Sequence, residues 1–192
     1  MRQNPARRHA LLDAAIEVLA RDGSRGLTLR AIDKEAGVPT GTASNYFANR
    51  DELLVQVVRR TRERLAPDPD AVAATMDQPP SPALATELMR QLLARQRADR
   101  TSNLAMLELR LEATRRPELH AQLSDFLATE HREVVDFHLD AGLPGDRLGV
   151  ALLYFGMLGL IVDDFTLPAI LEPYDVDELI EQLVTRLLRQ RT

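Results

Sequence analysis

The 192-residue sequence has no cysteine and no tryptophan, and aromatic residues amount to only 4% of it. The absence of cysteine excludes disulfide bonds and thiolate metal sites, and it agrees with a reducing cytoplasm. So few aromatic residues give no evident stacking site for a large planar ligand. No apolar run reaches the roughly 18 residues that cross a bilayer, and the N-terminus lacks the apolar core of a secretory signal. We therefore expect a cytoplasmic protein that does not enter a membrane.

Catalytic and metal-binding motifs are equally scarce. The sequence contains no nucleophile elbow, no phosphate-binding glycine loop and no pair of catalytic carboxylates. His131 and His138, with Glu130 nearby, lie on one helical face but are spaced more widely than the histidines of helical zinc sites. We expect a protein that is not an enzyme and that needs neither a cofactor nor a metal.

What the sequence does contain is the apolar spacing of helices. Apolar residues recur at intervals of three and four, and no alternating strand pattern is present. We therefore expect an all-α fold of about nine helices, with an N-terminal three-helix domain and a C-terminal helical bundle. The main helices outside the segment 28–47 are predicted at residues 5–22, 50–65, 83–98, 102–113, 147–163 and 175–189. A further long helix is predicted to start within residues 115–119 and to end near residues 141–142.

The segment 28–47, TLRAIDKEAGVPTGTASNYF, has the pattern of two short helices joined by a tight turn. Thr28 can cap the first helix, and Gly37 supplies the left-handed conformation that ends it. Pro39 suits the first turn of a second helix, which we expect over about residues 39–46. The positions that must be apolar or small are filled by Leu29, Ile32, Ala36, Val38, Ala43 and Tyr46. This spacing is typical of a helix-turn-helix whose second helix enters the major groove of DNA.

The outer face of the predicted second helix carries small hydrogen-bonding groups, which approach base edges and phosphates without bulk. The alternative is a helical adaptor or ligand-binding protein in which this hairpin is structural and buried. The charge distribution favours DNA, because residues 1–50 carry a net charge of +3 and residues 51–192 a net charge of −8. The predicted DNA-binding residues are Thr28, Arg30, Thr40, Gly41, Thr42, Ser44, Asn45, Tyr46 and Arg50, and Arg2, Arg7 and Arg8 form a possible basic arm.

The run from Arg8 to Leu54, about a quarter of the chain, resembles the N-terminal domain of TetR-family transcriptional regulators. The matching parts are the helix ALLDAAIEVLARDG, then Gly26, Thr28, the AGV turn at 36–38, Gly41, Thr42, Tyr46-Phe47 and RDELL at 50–54. Three positions depart from the family. Asp33 replaces a small apolar residue, Pro39 replaces a capping residue, and Ala43-Ser44 replaces a leucine–tyrosine pair.

The resemblance implies a ligand-responsive repressor that binds a palindromic DNA operator as a homodimer and releases it when a small molecule binds. On this basis we predict a DNA-binding domain at residues 1–50, a connecting helix at 51–66, and a ligand-binding and dimerisation domain at 67–192. The family resemblance also implies a pocket enclosed by the middle helices. Candidate ligand-binding residues there are Asn103, Met106, Glu108, Arg110, Phe126, His131, Tyr154 and Phe155. For the polar members, a solvated surface or an internal ion pair is the competing interpretation.

The last two helices carry apolar stripes, and the first of the pair has glycines at 149, 156 and 159 that permit close helix approach. The two stripes can form either the core of one subunit or a four-helix interface between two subunits. A palindromic site with half-sites about 34 Å apart requires a two-fold protein and favours the interface, and TetR relatives dimerise through their last two main helices. The predicted interface residues are Leu152, Phe155, Gly156, Gly159, Leu179, Leu183 and Leu187.

Overall fold

The computed structural model describes residues 4–188, and across this range it contains nine α-helices and no strand. The all-α prediction is therefore confirmed for the described residues, whereas Arg2 and the predicted end of the last helix at Arg189 lie outside them. The helices are α1 (Pro5–Gly26), α2 (Leu29–Glu35), α3 (Arg50–Leu65), α4 (Pro69–Met76), α5 (Pro82–Ala98), α6 (Arg100–Ala113), α7 (Pro117–Asp140), α8 (Arg147–Thr166) and α9 (Val176–Leu187). Two short 3₁₀ helices, Ala43–Asn45 and Pro168–Ile170, complete the order.

The first three helices begin at the caps that their sequence predicts. The side chain of Asn4 accepts hydrogen bonds from the first backbone N–H groups of α1, and the Thr28 hydroxyl accepts one from the first turn of α2. Asn49 accepts a hydrogen bond from the N–H of Glu52 at 2.8 Å, and the Glu52 carboxylate accepts one from the N–H of Ala48 at 2.9 Å. This exchange resembles a capping box and fixes the start of α3.

Packing divides the chain into two compact units. The first comprises the residues up to Ala66 together with Asp99–Phe126, and the second comprises Pro67–Ala98 together with the residues from Leu127 on. Thus α6 packs against α1 and α3, although the predicted boundary at residue 67 grouped it with the C-terminal domain. The compact units therefore differ from the predicted domains, and the functional division stays a prediction.

The core of the first unit forms where α1 meets α2, α3 and α6. Burial of each leucine or isoleucine side chain there contributes about 1.5–3 kcal/mol of stabilisation. The buried residues of α1, spaced at helical intervals, are Leu11, Leu12, Ala14, Ala15, Ile16, Val18 and Leu19. They pack with a buried set that includes Ile32 of α2, Leu53, Leu54 and Val57 of α3, and Ala105 and Leu109 of α6. This core supports the start of α2 and the segment that follows it.

In the second unit, α8 and α9 pack closely because α8 presents glycines to α9. A Cβ atom at Gly149 would lie 2.3 Å from the carbonyl oxygen of Leu187, and one at Gly156 would lie 3.1 Å from a methyl group of Leu183. Hence Gly156 and Leu183, both predicted for the subunit interface, contact each other within one chain.

The helix α8 also departs from the expectation that no segment could span a membrane. Within residues 4–188 it is the one helix long and apolar enough to do so by length and composition, with a mean hydropathy of 1.8. The prediction required an uninterrupted run of apolar residues. A mean hydropathy taken along the helix can be high even when charged residues lie near both ends, as they do in α8. One side of α8, which includes Val150, Leu153 and Met157, is buried, and α8 packs against α9 and α5, as in the core helix of a folded domain.

Candidate functional site

The helix α2 ends in a hydrogen-bonded turn that reverses the chain. Gly37 has a φ of +63°, a conformation that glycine adopts without strain. The N–H of Gly37 donates to the carbonyl of Lys34 at 3.2 Å, and the N–H of Val38 donates to the carbonyl of Asp33 at 3.0 Å. These bonds satisfy carbonyl groups at the end of α2 in the manner of a Schellman motif. The predicted stop at Gly37 is therefore confirmed.

The predicted second helix over residues 39–46 is wrong in its geometry. Residues 39–42 form a turn and Ala43–Asn45 form one 3₁₀ turn, with no α-helix between α2 and α3. The reason is Gly41, whose φ of +93° cannot occur in a right-handed helix. The N–H of Thr42 bonds to the carbonyl of Pro39 at 3.1 Å, and the N–H of Asn45 bonds to that of Thr42 at 3.0 Å. The segment 39–46, which we call the recognition turn, is therefore more tightly coiled than an α-helix.

A buried acidic side chain hydrogen-bonds to the backbone of the recognition turn. Asp33 is only 2% exposed. Its Oδ2 accepts a hydrogen bond from the N–H of Gly41 at 2.7 Å, and its Oδ1 accepts one from the N–H of Ala43 at 2.7 Å. The small apolar residue expected here from the family resemblance has no acceptor for these groups. Sequence reasoning noted Asp33 as a departure but did not include it in the site.

The predicted outer face of the recognition turn lies at the surface. Thr40, Gly41, Ser44 and Asn45 are exposed, whereas Thr42 and Tyr46 are half-buried. Several of these side chains also stabilise the turn itself. The Ser44 hydroxyl donates to the carbonyl of Gly41 at 2.8 Å, and the Thr42 hydroxyl donates to the carbonyl of Pro39 at 2.6 Å. The small polar groups are thus held at defined positions on an accessible surface.

The side chain of Arg50, which is predicted to contact phosphate, makes its hydrogen bonds here within the chain. Its half-buried guanidinium donates to the backbone carbonyls of Ser24 and Leu27, and also to the Ser24 hydroxyl at 2.9 Å. These bonds join the start of α3 to the connection between α1 and α2. They do not test the contact of Arg50 with phosphate, which stays a prediction. Thr28 and Arg30, also predicted for the site, are exposed at the start of α2.

Arg8 links the N-terminal part of α1 to the recognition turn. Its guanidinium carbon lies 5.9 Å from the ring centre of Tyr46 and 5.7 Å from that of Phe47, within range of a cation–π interaction. It also donates a 2.5 Å hydrogen bond to the side chain of Gln56 in α3. The sequence indicated Arg8 as part of a basic arm that either touches DNA or is simply solvated, since nothing local to residue 8 reveals its contact with residues 46 and 47.

The predicted ligand-binding residues divide between the two units. Asn103, Met106, Glu108, Arg110 and Phe126 belong to the first unit. Glu108 accepts a hydrogen bond of 3.4 Å from the N–H of Ser24, and Phe126 lies under the guanidinium of Arg62 at 5.1 Å. The first unit also has a polar groove of about 710 Å³ between α1, α3 and the start of α7, but none of the predicted ligand-binding residues lines it.

The remaining three ligand-binding candidates meet in the second unit as an aromatic cluster of His131, Tyr154 and Phe155. The Tyr154 ring stands edge-on to His131 at a centroid distance of 4.7 Å, and the Phe155 ring lies nearly parallel to it at 5.6 Å. The Nε2 atom of His131 is buried and has no hydrogen-bond partner among the described residues. A buried imidazole nitrogen without a partner can donate or accept a hydrogen bond, depending on the tautomer, when a polar atom of a ligand approaches it.

The exposed side of α8 carries large apolar side chains at helical spacing, which we call the α8 stripe. It consists of Leu148, Leu152 and Phe155, which are 67%, 47% and 58% exposed, and it continues to Gly159. A Cβ atom at Gly159 would have open space around it. By contrast, Leu179, Leu183 and Leu187 of α9 are half-buried. The predicted interface set thus includes residues that pack within one chain and residues that remain exposed.

Comparisons with known proteins identify relatives of both the N-terminal and the C-terminal parts of the chain. Residues 11–57 match the family described as bacterial regulatory proteins, tetR family, and residues 80–190 match the tetracyclin repressor-like C-terminal domain. The HTH-type transcriptional regulator BetI of Agrobacterium fabrum is 40% identical over 70 residues, covering 36% of this chain and 33% of the relative. BetI of Rhizobium meliloti is 39% identical over 70 residues, covering 36% and 34%. The matched region spans about a third of these relatives' length.

Solved structures extend the similarity over nearly the whole chain. The multidrug binding protein EbrR, crystallised with imidazole, is 30% identical with a TM-score of 0.70, and the match covers 98% of each chain. A TetR-family member from Streptomyces coelicolor A3 is 29% identical with a TM-score of 0.70, covering 97% of this chain and 100% of the other. Since the C-terminal family model alone covers more than half of the sequence, the chain belongs to the TetR family of bacterial regulatory proteins.

Proposed function

We propose that this chain is a transcriptional repressor in the cytoplasm that binds a palindromic DNA operator as a homodimer. In this proposal a small molecule bound to the C-terminal half releases the DNA. The observation that carries the proposal is the exposed recognition turn, rich in small polar side chains, within the region matched by the family's N-terminal model.

DNA contact is supported by the combination of polar and basic groups near the recognition turn. Thr40, Ser44 and Asn45 are exposed and short enough to approach base edges. Arg30 is exposed on the adjacent helix α2 and is suited to a phosphate contact, which positions the protein without reading sequence. The net charge of +3 on residues 1–50 favours approach to a polyanion.

Dimerisation is supported by the α8 stripe. Its three large apolar side chains are each about half exposed or more, and contiguous apolar surface of this kind marks interaction sites in proteins. A second copy related by a two-fold axis would cover the stripe with the same surface. Two recognition turns on such a pair would meet half-sites one helical turn apart, at about 34 Å.

An effector site in the second unit is supported by the aromatic cluster of His131, Tyr154 and Phe155. The similar protein EbrR is described as multidrug binding and was crystallised with malachite green, ethidium and proflavin. The few aromatic residues gave no evident stacking site in the sequence, but three rings meet in this cluster, and we therefore propose aromatic small molecules as the effector class. Their apolar rings would pack against Phe155 and Tyr154, and a polar atom would hydrogen-bond with the Nε2 of His131.

The test is selection of random DNA duplexes by the purified full chain, followed by affinity measurement over a range of salt concentrations. We expect a palindromic consensus, and an affinity that falls with salt at a log–log slope of about −0.9 for each phosphate neutralised. Replacing the exposed Ser44 by Ala should weaken binding to the consensus, whereas Ser124→Ala, at an exposed position on α7, should not. A flat salt response with no selected sequence would instead favour the adaptor alternative.

A further inference from the structure

Asp33 is a buried charged residue whose side chain hydrogen-bonds to the recognition turn. Its carboxylate accepts two hydrogen bonds of 2.7 Å, one on each oxygen, from the N–H groups of Gly41 and Ala43. Both lengths are typical of charge-assisted bonds, which are stronger than bonds between neutral groups. A carboxylate that is 2% exposed is stable in such a position only when it is well hydrogen-bonded.

The backbone of Asp33 contributes to the same arrangement. Its carbonyl oxygen accepts the hydrogen bond from the N–H of Val38 that closes the end of α2. One residue therefore holds the chain at positions 38, 41 and 43. The exposed Thr40 lies between these anchors, and the exposed Ser44 follows directly after them.

Glycine at position 41 adopts a positive φ readily, but the turn that Asp33 holds has little stability of its own. Gly41 has a φ of +93°, and the 3₁₀ turn after it contains only three residues. Isolated turns of this size are weak because few hydrogen bonds oppose the entropy of the free backbone. Without the carboxylate, the N–H of Ala43, a fully buried residue, would lose its acceptor.

We propose that Asp33 is a positioning residue that sets the geometry of the recognition turn and thereby determines its preference for operator sequence. The inference rests on the proposed DNA-binding function. Asp33 acts through the backbone at 41 and 43 and does not touch DNA. Holding the turn before binding also reduces the entropy lost when the complex forms, which raises affinity for the matching sequence.

The test measures the DNA affinity of Asp33→Asn and Asp33→Ala. A purely electrostatic effect of the charge and a positioning role of the side chain predict opposite changes in this affinity. Removing a negative charge close to a polyanion should strengthen DNA binding if charge alone matters. If Asp33 positions the turn, both variants should lose roughly tenfold or more in affinity for the selected operator. Affinity for a scrambled duplex should stay the same or rise, so the ratio of specific to non-specific binding should fall.

The matched control is Glu35→Gln, which removes a charge from the same helix. Glu35 bonds to Arg21 at 2.8 Å, outside the recognition turn. The Glu35→Gln variant should keep the wild-type ratio between affinity for the operator and affinity for the scrambled duplex. Asp33→Ala carries the small apolar side chain expected from the family resemblance, so a folded variant is available if Asp33→Asn fails to fold.

Amide hydrogen exchange supplies a readout that does not depend on DNA. The amides of Gly41 and Ala43 should exchange faster in both variants, while buried amides of α1 keep their protection. Unchanged exchange at 41 and 43, or an unchanged specificity ratio in the variants, would overturn the inference while leaving DNA binding established. If the wild-type chain selects no operator at all, the proposed function fails, and the inference fails with it.

Discussion

Arg64, in the last turn of α3, is held by Asp99 through two hydrogen bonds of 2.9 and 3.0 Å. Asp99 is also the N-cap of α6, where it accepts bonds from the backbone and the hydroxyl of Ser102 at 3.0 and 2.6 Å. One carboxylate therefore joins the end of α3 to the start of α6. Burial raises the pKa of Asp99, but the bonds from Arg64 and Ser102 outweigh this effect, and the pKa lies below its ordinary value.

Replacing Asp99 by Asn should lower the free energy of unfolding at neutral pH by about 1–3 kcal/mol, since the half-buried ion pair with Arg64 is removed while Asn can still cap α6. Because the folded pKa of Asp99 is depressed, its stabilisation is present above the unfolded pKa of about 4 and disappears as the pH falls through the folded value. Denaturant unfolding between pH 3 and pH 7 should therefore show a gap between wild type and variant that narrows in acid. The exposed Asp125→Asn is the control, and a gap of equal size at every pH would contradict this role.

Arg30→Ala should weaken DNA binding about equally for all sequences. Arg30 is exposed on α2 beside the recognition turn, and a phosphate contact carries no sequence information. The magnitude of the log–log salt slope should fall by about 1, because the variant neutralises one phosphate fewer. Titration at several salt concentrations measures this change. Arg132→Ala removes the same charge from an exposed position in the second unit and should leave the slope unaltered.

Arg50→Ala should lower the stability of the protein, in contrast to Arg30→Ala, which should change DNA binding. The guanidinium of Arg50 donates to Ser24 and Leu27, so its removal leaves buried carbonyls without donors and should lower the thermal midpoint by several degrees. The salt slope for DNA binding should remain that of the wild type. A reduced log–log salt slope at an unchanged melting temperature would show instead that Arg50 contacts phosphate.

If the proposed dimer forms through the α8 stripe, Leu152→Glu should make the chain monomeric, because a carboxylate in the centre of the stripe cannot be buried against a second copy without a large desolvation cost. Light scattering coupled to size-exclusion chromatography gives the mass of the species directly. Leu167→Glu is the matched control, since Leu167 is 60% exposed but lies beyond the end of α8. Equal dimer content in both variants would place the interface elsewhere.

His131→Ala should weaken proflavin binding by roughly tenfold, the effect of removing one hydrogen bond from a buried site. Proflavin fluorescence titration provides the affinity, and displacement of the selected operator by proflavin links binding to release. His120→Ala, at an exposed position in the first unit, should bind proflavin as the wild type does. Identical affinities of His131→Ala and wild type would exclude the aromatic cluster as the binding site for this dye.

Local sequence rules predicted the parts of the fold that depend on neighbouring residues. The caps at Asn4, Thr28 and Asn49 and the stop at Gly37 were all predictable, because each involves groups a few residues apart. The same rules failed at residues 39–46. Pro39 suggested a helix start, but the positive φ of Gly41 and its bond to Asp33 turned the segment into a 3₁₀ turn.

The amino-acid sequence by itself determined that this protein is helical and where most helices begin and end, and it predicted the segment that contacts DNA. Only the tertiary structure decided that Asp33 supports the recognition turn, that Arg50 points inward to Ser24, and that α6 packs with the N-terminal helices. Helix signals are short-range, because backbone hydrogen bonds join residues four apart. The direction of a charged side chain and the partner of a helix depend on groups brought together from distant positions, and no local pattern records them.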